Sequence, residues 1–244
     1  MSSASKSPTS NAASKVNEPP PDRPTVFVAD DDPDIRDYLR DLLQSVSLPV
    51  RAFESGQELL KSYDPTWTGC IVTDLRMPAL SGLELQTRLK ARGSTLPIIF
   101  LTGFAEVDVA VRALKMGAAD FLQKPVRGQE MLDSVQRALE IESRKRVQRR
   151  EHQQTANRLA NLNEGERAVL DLLVEGFPYK FIASKLNLSY KTVEARRARI
   201  MKKLGTETQS ELYKIMIGYA FANDGESARP AELSEQLAMA QRSN

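Results

Sequence analysis

The sequence is poor in the side chains that form cross-links and transition-metal sites. It contains one cysteine, Cys70, and one histidine, His152, among 244 residues. Cys70 stands inside an apolar, strand-like run, so we predict that it is a small buried hydrophobe in a reducing compartment. His152 lies in a polar, charged stretch without cysteine or histidine companions, which argues against a zinc site.

Long apolar runs are also absent. No stretch approaches the ~20 apolar residues that a membrane-spanning helix needs, and the N-terminus lacks the apolar core of a secretory signal peptide. Apolar residues still make up 41% of the chain, which is enough for an ordinary globular core. We therefore expect a soluble, cytoplasmic protein with no membrane partner.

The formal net charge of +2 conceals a division of charge along the chain. Residues 25–142 carry 13 basic and 18 acidic side chains, a balance of −5. Residues 143–160 carry 6 basic and 1 acidic side chains, a balance of +5. Residues 161–221 carry 10 basic and 7 acidic side chains, a balance of +3. An acidic front and a basic rear indicate that polyanion binding belongs to the rear, although a solvated charged helix also fits residues 144–150.

The front of the chain has the pattern of an α/β domain. Residues 1–24 are rich in small polar residues, lysine and proline, so we predict a disordered tail. Residues 25–142 alternate apolar, strand-like runs with amphipathic helical segments, including helices predicted at 33–46, with Val46 facing inward, and at 106–116. Five β–α units with short links predict a doubly wound, five-stranded parallel sheet.

The rear of the chain is helical in pattern. Helix-forming residues continue beyond 142 without a stop signal, so we predict a basic linker over 143–158 that is either helical or flexible. Four helical segments follow within 159–221, and residues 222–244 form a polar tail. Two of these segments, at 179–186 and 190–204, have the spacing of a helix-turn-helix.

Polar side chains follow the apolar runs of the front domain at predicted strand ends. Asp30 and Asp31 follow the first strand, Asp74 the third, Thr102 the fourth and Lys124 the fifth. Because the carboxyl ends of parallel strands meet at one edge of a sheet, we expect these groups to form one site. Taken singly, each has an ordinary structural interpretation, such as a helix cap or a turn.

Three converging carboxylates repel one another unless a cation joins them. Oxygen ligands of this kind suit Mg²⁺, which takes one or two carboxylates and keeps several waters. Asp74 is then placed to attack phosphorus as a nucleophile and form an acyl phosphate. Lys124 offers a positive charge to a phosphoryl oxygen, and Thr102 offers a hydroxyl donor.

These residues resemble the receiver domain of two-component response regulators. The matching segments are Val28-Ala29-Asp30-Asp31-Asp32, Thr73-Asp74-Leu75-Arg76-Met77-Pro78 with Ser81-Gly82, Thr102-Gly103 and Lys124-Pro125. The resemblance implies a flavodoxin-like sheet with strand order 2-1-3-4-5 and phosphorylation of Asp74 by a sensor histidine kinase. It also suggests a cis peptide bond before Pro125.

The same resemblance implies the roles of further residues. Mg²⁺ would be held by Asp31, Asp74 and the backbone carbonyl of Arg76, with Asp30 assisting. Thr102 would move toward the phosphoryl group, and Phe121 would be the rotating aromatic of the switch or a plain core residue. Phe104, at the mouth of the site, cannot orient a hydrolytic water, so we predict that the phosphate persists for minutes or longer.

The rear domain resembles the four-helix DNA-binding domain of NarL/FixJ (LuxR-type) regulators. The resemblance rests on positions from Leu162 to Leu204, including Ile182-Ala183, Ser189 and Thr192-Val193-Glu194; Arg196 stands where many members carry histidine. Val193, Ile200 and Leu204 would face the core, and the last helix, 210–220, would pair two copies on DNA. The predicted DNA contacts of the second helix are Lys191, Thr192, Glu194, Arg196, Arg197 and Arg199.

The sequence therefore predicts a phosphorylation-controlled transcription regulator, not an enzyme, that dimerises and binds double-stranded promoter DNA. A regulator whose receiver is only a phosphorylation-independent dimerisation module is the alternative. A phosphatase with an aspartyl nucleophile is a weaker rival, because Arg76 stands where the haloacid-dehalogenase pattern has a second acid. On periodicity alone, the basic helix at 190–204 also fits a solvated face of a small bundle.

Overall fold

The computed structural model describes residues 23–103 and 114–223, without the side chains of 221–223. The chain divides into two compact units, Met1–Lys145 (unit 1) and Arg146–Asn244 (unit 2). None of the helices in the described ranges is both long enough and apolar enough to cross a bilayer.

Unit 1 is built on five parallel strands. The strands are β1 (Thr25–Ala29), β2 (Val50–Phe53), β3 (Gly69–Asp74), β4 (Ile98–Thr102) and β5 (Asp120–Gln123). Their order in the sheet is β2-β1-β3-β4-β5, which confirms the predicted doubly wound topology. All residues of β1, β3 and β4 are buried, as expected for strands that are covered on both faces of a parallel sheet.

Helices cover both faces of this sheet. The described helices that begin in unit 1 are α1 (Pro33–Ser45), α2 (Gly56–Ser62), α3 (Gly82–Ala91) and α4 (Gly128–Ala160). Alternate residues of β1 point to opposite faces: Phe27 belongs to the core beneath α2 and α3, whereas Val26 and Val28 belong to the core beneath α1 and α4. Cys70 is a free, buried cysteine of the second core, as predicted, and burial raises its pKa to about 12.

Capping side chains fix where the helices begin. Asp32 accepts a hydrogen bond from the Asp34 amide at the start of α1, and Ser81 and Glu84 form a capping box at the start of α3. The prediction that Val46 faces inward was wrong, because α1 ends at Ser45 and Val46 is 47% exposed. Of the helix predicted at 106–116, residues 106–113 lie outside the described residues.

Unit 2 contains the last part of α4 and four further helices among the described residues. These are α5 (Glu164–Val174), α6 (Tyr179–Lys185), α7 (Tyr190–Leu204) and α8 (Gln209–Asn223). Val193, Ile200 and Leu204 of α7 are fully buried, as predicted. They join leucines of α4 and α5 in one hydrophobic core, so the apolar stripe of α7 determines which of its residues face outward.

Side chains hold α7 at both ends. Ser189 caps its first turn by accepting a hydrogen bond from the Thr192 amide at 3.0 Å. At the other end the chain turns through Gly205, whose φ of 70° lies in the left-handed region. Arg158, on α4, donates from Nη1 to the Leu204 carbonyl at 2.8 Å and so satisfies an otherwise open carbonyl of the last turn.

Candidate functional site

The structure brings three carboxylates together at the carboxyl edge of the unit 1 sheet. Asp30 follows β1, Asp31 comes next, and Asp74 is the last residue of β3. β1 and β3 are neighbours in the sheet with Ala29 opposite Thr73, so their ends lie side by side. One oxygen from each carboxylate lies within 4.8 Å of the other two. Hard oxygen ligands at this spacing fit a divalent cation such as Mg²⁺.

Lys124 lies between two of these carboxylates. Its Nζ donates to Asp30 Oδ2 at 2.8 Å and also to Asp74 Oδ2. The peptide bond between Lys124 and Pro125 is cis, as the sequence suggested. Although Lys124 directly follows the edge strand β5, its side chain is only 17% exposed. An ammonium group therefore balances part of the negative charge of the cluster.

Burial changes the proton affinities of this pair. Asp30 is completely buried, and desolvation raises its pKa above the ordinary value in spite of the hydrogen bonds from Lys124 and the Asp32 amide. For Lys124, desolvation opposes the charged form. The hydrogen bonds to Asp30 and Asp74 outweigh it, so that the pKa of Lys124 is raised. Lys124 therefore remains an ammonium across the physiological pH range.

The backbone around Asp74 leaves little room. The Arg76 amide donates to Asp74 Oδ1 at 2.9 Å, while the Arg76 side chain is exposed. A Cβ at Gly82 would lie 2.5 Å from the Asp74 carbonyl oxygen and 3.0 Å from the Phe100 ring. Only glycine fits this approach, so Gly82 allows the start of α3 to lie against the end of β3.

Thr102 and Phe121 lie on the neighbouring strands β4 and β5. Thr102 ends β4, is 3% exposed, and its carbonyl accepts a hydrogen bond from the Lys124 amide at 2.6 Å. Phe121 is half-buried opposite Phe100, with 6.5 Å between the ring centroids. Phe104 lies outside the described residues.

The six predicted DNA contacts on α7 point in different directions. Lys191, Glu194 and Arg199 are exposed. Thr192 is half-buried and its hydroxyl lies 2.7 Å from the Ser189 hydroxyl. The face of α7 turned to solvent is therefore less cationic than the sequence suggested, since the two remaining arginines turn inward.

Arg196 and Arg197 contact their own unit. Arg196 donates from Nη1 to the Gly165 carbonyl at 3.1 Å, at the start of α5. The Arg197 guanidinium carbon lies 5.8 Å from the centre of the Tyr179 ring, and its Nε is buried with no hydrogen-bond partner among the described residues. Both arginines therefore contribute to packing within unit 2.

Three of the exposed residues that sequence reasoning missed lie in the first part of α7. Ala195 lies about one helical turn after exposed Lys191, Ala198 lies about one turn after exposed Glu194, and both alanines are exposed. Tyr190, the first residue of α7, is 47% exposed. The helical periodicity of α7 could have indicated these positions, because Val193 and Ile200 mark its buried face and residues on the opposite face are exposed. Alanine has neither a charge nor a hydrogen-bonding group, so the pattern of polar side chains in α7 did not indicate these positions.

An ion pair between exposed Lys203 and buried Glu166 connects α7 to α5. Lys203 donates from Nζ to Glu166 Oε2 at 2.6 Å and to the Asn161 carbonyl at 3.0 Å. Glu166 also forms a capping box with Asn163. The hydrogen bond from Lys203, followed by that with the Asn163 backbone, lowers the pKa of Glu166. Glu166 therefore stays ionised and holds the start of α5 against α7.

Comparisons with known protein families give a match in each of the two units. Residues 26–136 match the response regulator receiver domain, and residues 160–216 match the bacterial regulatory proteins of the luxR family. The transcriptional regulatory protein TdiR of Thauera aromatica is 44% identical over 201 residues, covering 82% of this chain and 88% of TdiR. The chain is a response regulator of the NarL/FixJ family.

Two further relatives of this response regulator are matched over almost their whole length. The transcriptional regulatory protein FixJ of Azorhizobium caulinodans is 39% identical over 206 residues, which cover 84% of this chain and 98% of FixJ. The solved structure of the response regulator StyR has a TM-score of 0.74 and 36% identity, and covers 81% of this chain and 100% of StyR.

Membership of this family determines the function at a coarse level. A receiver followed by a LuxR-type DNA-binding domain makes the protein a phosphorylation-controlled transcriptional regulator. The alternative of a phosphorylation-independent dimerisation module is not favoured by these relatives. The family consists of transcription regulators and not of classical enzymes, and its receiver implies phosphorylation by a histidine kinase.

Proposed function

We propose that Asp74 is the phosphoacceptor of this response regulator. The observation that carries the proposal is the convergence of Asp30, Asp31 and Asp74 within 4.8 Å, with Lys124 bound to both Asp30 and Asp74. A lone pair of the Asp74 carboxylate attacks phosphorus as the bond to the kinase histidine nitrogen breaks. The product is an acyl phosphate on Asp74.

The residues around Asp74 have distinct roles in this transfer. Once Asp74 is phosphorylated, its carboxyl group no longer carries the negative charge that attracts Lys124, so the ammonium can turn to a phosphoryl oxygen. Thr102, at the end of β4, donates its hydroxyl to another phosphoryl oxygen. Phe121 then moves into the space that Thr102 leaves, and this repacking changes the surface that β5 forms.

The oxygen donors around Asp74 fit Mg²⁺. Asp31, Asp74 and the backbone carbonyl of Arg76 would hold it, with Asp30 assisting through water, because exposed Asp31 leaves room for waters. When bound, Mg²⁺ neutralises negative charge on the phosphoryl oxygens. Lys124, which donates to Asp74 Oδ2, supplies further positive charge.

We further propose the boundaries of the functional parts. The receiver spans residues 25–142, the basic linker 143–158 and the DNA-binding domain 159–221, flanked by tails at 1–24 and 222–244. α4 is helical throughout the linker segment. Phosphorylated receivers pair through the 106–116 segment and the β5 face, and α8 brings two copies of α7 to half-sites about one helical turn of DNA apart.

On DNA, the outward positions of α7 read the bases in the major groove. Lys191 meets a phosphate of the DNA, and Glu194 accepts a hydrogen bond from cytosine. Exposed Ala195 and Ala198 lie on the same face and meet thymine methyl groups. Thr192 and Arg199 contact the backbone of the DNA. Arg196 and Arg197 instead hold α7 in place through their contacts with Gly165 and Tyr179.

Phosphorylation is tested by incubating the full-length protein with Mg²⁺ and acetyl phosphate. Intact mass should rise by one phosphoryl group in the wild type and in Asp41→Asn, an exposed aspartate of α1 that serves as the matched control. Asp74→Asn should remain unmodified and should bind promoter fragments equally with and without the donor. Modification of Asp74→Asn to the wild-type extent would falsify the assignment.

A further inference from the structure

Arg36, on α1, is a cationic side chain beside the acidic site, and the proposed phosphorylation chemistry does not use it. Its Nη1 donates to the backbone carbonyl of Asp30 at 2.8 Å. The side chain is only 14% exposed, although arginine is rarely buried unless it is paired. Its acidic neighbour Glu54 is 83% exposed, with 4.0 Å between Nη2 and Glu54 Oε1, and an ion pair of this kind contributes little in water. The bond to the Asp30 carbonyl is therefore the stronger of the two contacts.

This bond fixes the peptide unit that leads into Asp31. The Asp30 carbonyl lies in the plane of the peptide between Asp30 and Asp31, so a donor that holds the carbonyl also holds that plane. On the other side of Asp30, its amide donates to the Phe53 carbonyl at 3.3 Å. The residue after Asp31 is held as well, because the Asp32 amide donates to Asp30 Oδ1 at 3.0 Å. The backbone that carries the Asp31 side chain is therefore fixed on both sides.

Asp31 differs from the other two carboxylates in how it is held. Asp30 and Asp74 each accept hydrogen bonds from a backbone amide and from Lys124. The Asp31 side chain is exposed, and within residues 23–103 and 114–223 it accepts no hydrogen bond. The direction of the Asp31 carboxylate therefore depends on its backbone and, through the backbone, on Arg36.

We infer that Arg36 is a positioning residue for the divalent cation, because it aims Asp31 at the other two carboxylates. The inference rests on the proposed function, since it takes Asp31 as a direct ligand of the cation. Groups that orient metal ligands contribute to metal affinity without touching the ion. Arg36 does so through the backbone that precedes the ligand.

Charge and position predict opposite effects when Arg36 is removed. A guanidinium near the carboxylates repels a bound cation, so loss of its charge alone would tighten cation binding. Loss of the bond to the Asp30 carbonyl frees the peptide to turn, and Asp31 then no longer meets the geometry that Mg²⁺ demands. Cation binding would weaken in that case. The sign of the change in affinity therefore separates the two effects.

The test measures binding of Mn²⁺, which takes the same oxygen ligands as Mg²⁺, by electron paramagnetic resonance of the full-length protein without a phosphodonor. Arg36→Met should raise the dissociation constant about tenfold, at the low end of the range for groups that orient metal ligands. Arg40→Met is the matched control. It removes the same charge one turn further along α1, from a side chain that is 40% exposed and paired with Asp37, and should leave the constant nearly unchanged.

A double-mutant cycle tests whether Arg36 acts through Asp31. In the Asp31→Asn background the ligand is already lost, so Arg36→Met should cause no further loss of Mn²⁺ affinity. If Arg36→Met does not fold, Arg36→Lys replaces it in both backgrounds. Lysine keeps the charge without the planar guanidinium, and should raise the dissociation constant about threefold.

Three results would overturn the inference. The first is Mn²⁺ binding by the folded Arg36 variants that is as tight as in the wild type, or tighter. The second is an equal loss of affinity with and without the Asp31 carboxylate, which would mean that Arg36 acts on another ligand. The third concerns acetyl phosphate labelling, where the half-saturating Mg²⁺ concentration should rise by the same factor as the dissociation constant for Mn²⁺; an unchanged value contradicts the inference.

Failure of the proposed function has a different signature. In that case the wild type stays unlabelled with acetyl phosphate and Mg²⁺, whatever the dissociation constants for Mn²⁺ are. The metal-binding measurements need no phosphoryl transfer, so they separate the role of Arg36 from the assignment of Asp74.

Discussion

The two units handle charge in opposite ways. In unit 1, strand ends bring three carboxylates and Lys124 into one small, largely buried site, where each group changes the environment of the others. In unit 2, the charged side chains of α7 are spread along a surface, and those that turn inward join the packing. A convergent site should fail as a whole when one member is changed, whereas a dispersed surface should lose affinity in small steps.

The largest of the effects predicted here is expected at the close backbone approach beside the acidic site of unit 1. Gly82→Ala places a methyl group 2.5 Å from the Asp74 carbonyl oxygen. We expect a loss of about 3 kcal/mol in the free energy of unfolding, at the upper end of the overpacking range. Urea unfolding measures the loss. Gly103→Ala, whose Cβ meets nothing within 4 Å, is the control and should be near neutral.

The next largest effect concerns the ammonium of unit 1. Lys124→Met leaves completely buried Asp30 without its charged partner, so we expect roughly 2 kcal/mol of lost stability in the absence of added divalent cation. Acetyl phosphate labelling should also fall sharply. Lys61→Met, at an exposed position on α2, should change neither quantity. Unchanged stability of Lys124→Met would mean that the cluster is not coupled as the contacts suggest.

Unit 2 provides the contrast within a single helix. Lys191→Ala should weaken binding to all DNA sequences by a similar factor and reduce the slope of log affinity against log salt by about one. Arg196→Ala should leave this slope nearly unchanged and cost about 1 kcal/mol of stability, because Arg196 binds the Gly165 carbonyl. Salt titrations of DNA-fragment binding measure the slope, and urea unfolding measures the stability of both variants. A reduced slope for Arg196→Ala, with unchanged stability, would contradict the orientation of Arg196.

The smallest effect is a dependence on pH. The hydrogen bond from Lys203 is the main cause that lowers the pKa of Glu166 below its ordinary value of 4.5. The stabilisation from this ion pair is therefore complete above pH 4.5 and is lost as the pH falls through the lower, folded-state pKa. Glu166→Gln should flatten this acid dependence in thermal unfolding of unit 2. Exposed Glu175→Gln, at the end of α5, should retain the wild-type dependence.

Most of the fold and the members of the acidic site follow from the sequence, because strand periodicity and strand-end positions depend on local pattern. Asp74 ends β3 and Lys124 follows β5, so topology alone brings them to one edge. The double contact of Lys124, the tight approach at Gly82 and the exposure of Val46 depend on tertiary packing. The directions of Arg196 and Arg197 could not be predicted, because a long side chain bends away from the face of its Cβ.

The supports of α7 separate selectivity from folding. Ser189 caps its first turn, Arg158 binds the carbonyl of its last residue, and Arg196 joins its middle to the start of α5. Substitutions at Lys191, Glu194, Ala195 or Ala198 therefore remove no contact that keeps the helix in place. A family built on this scaffold can acquire new operator sequences through a few surface changes, without having to evolve a new core each time.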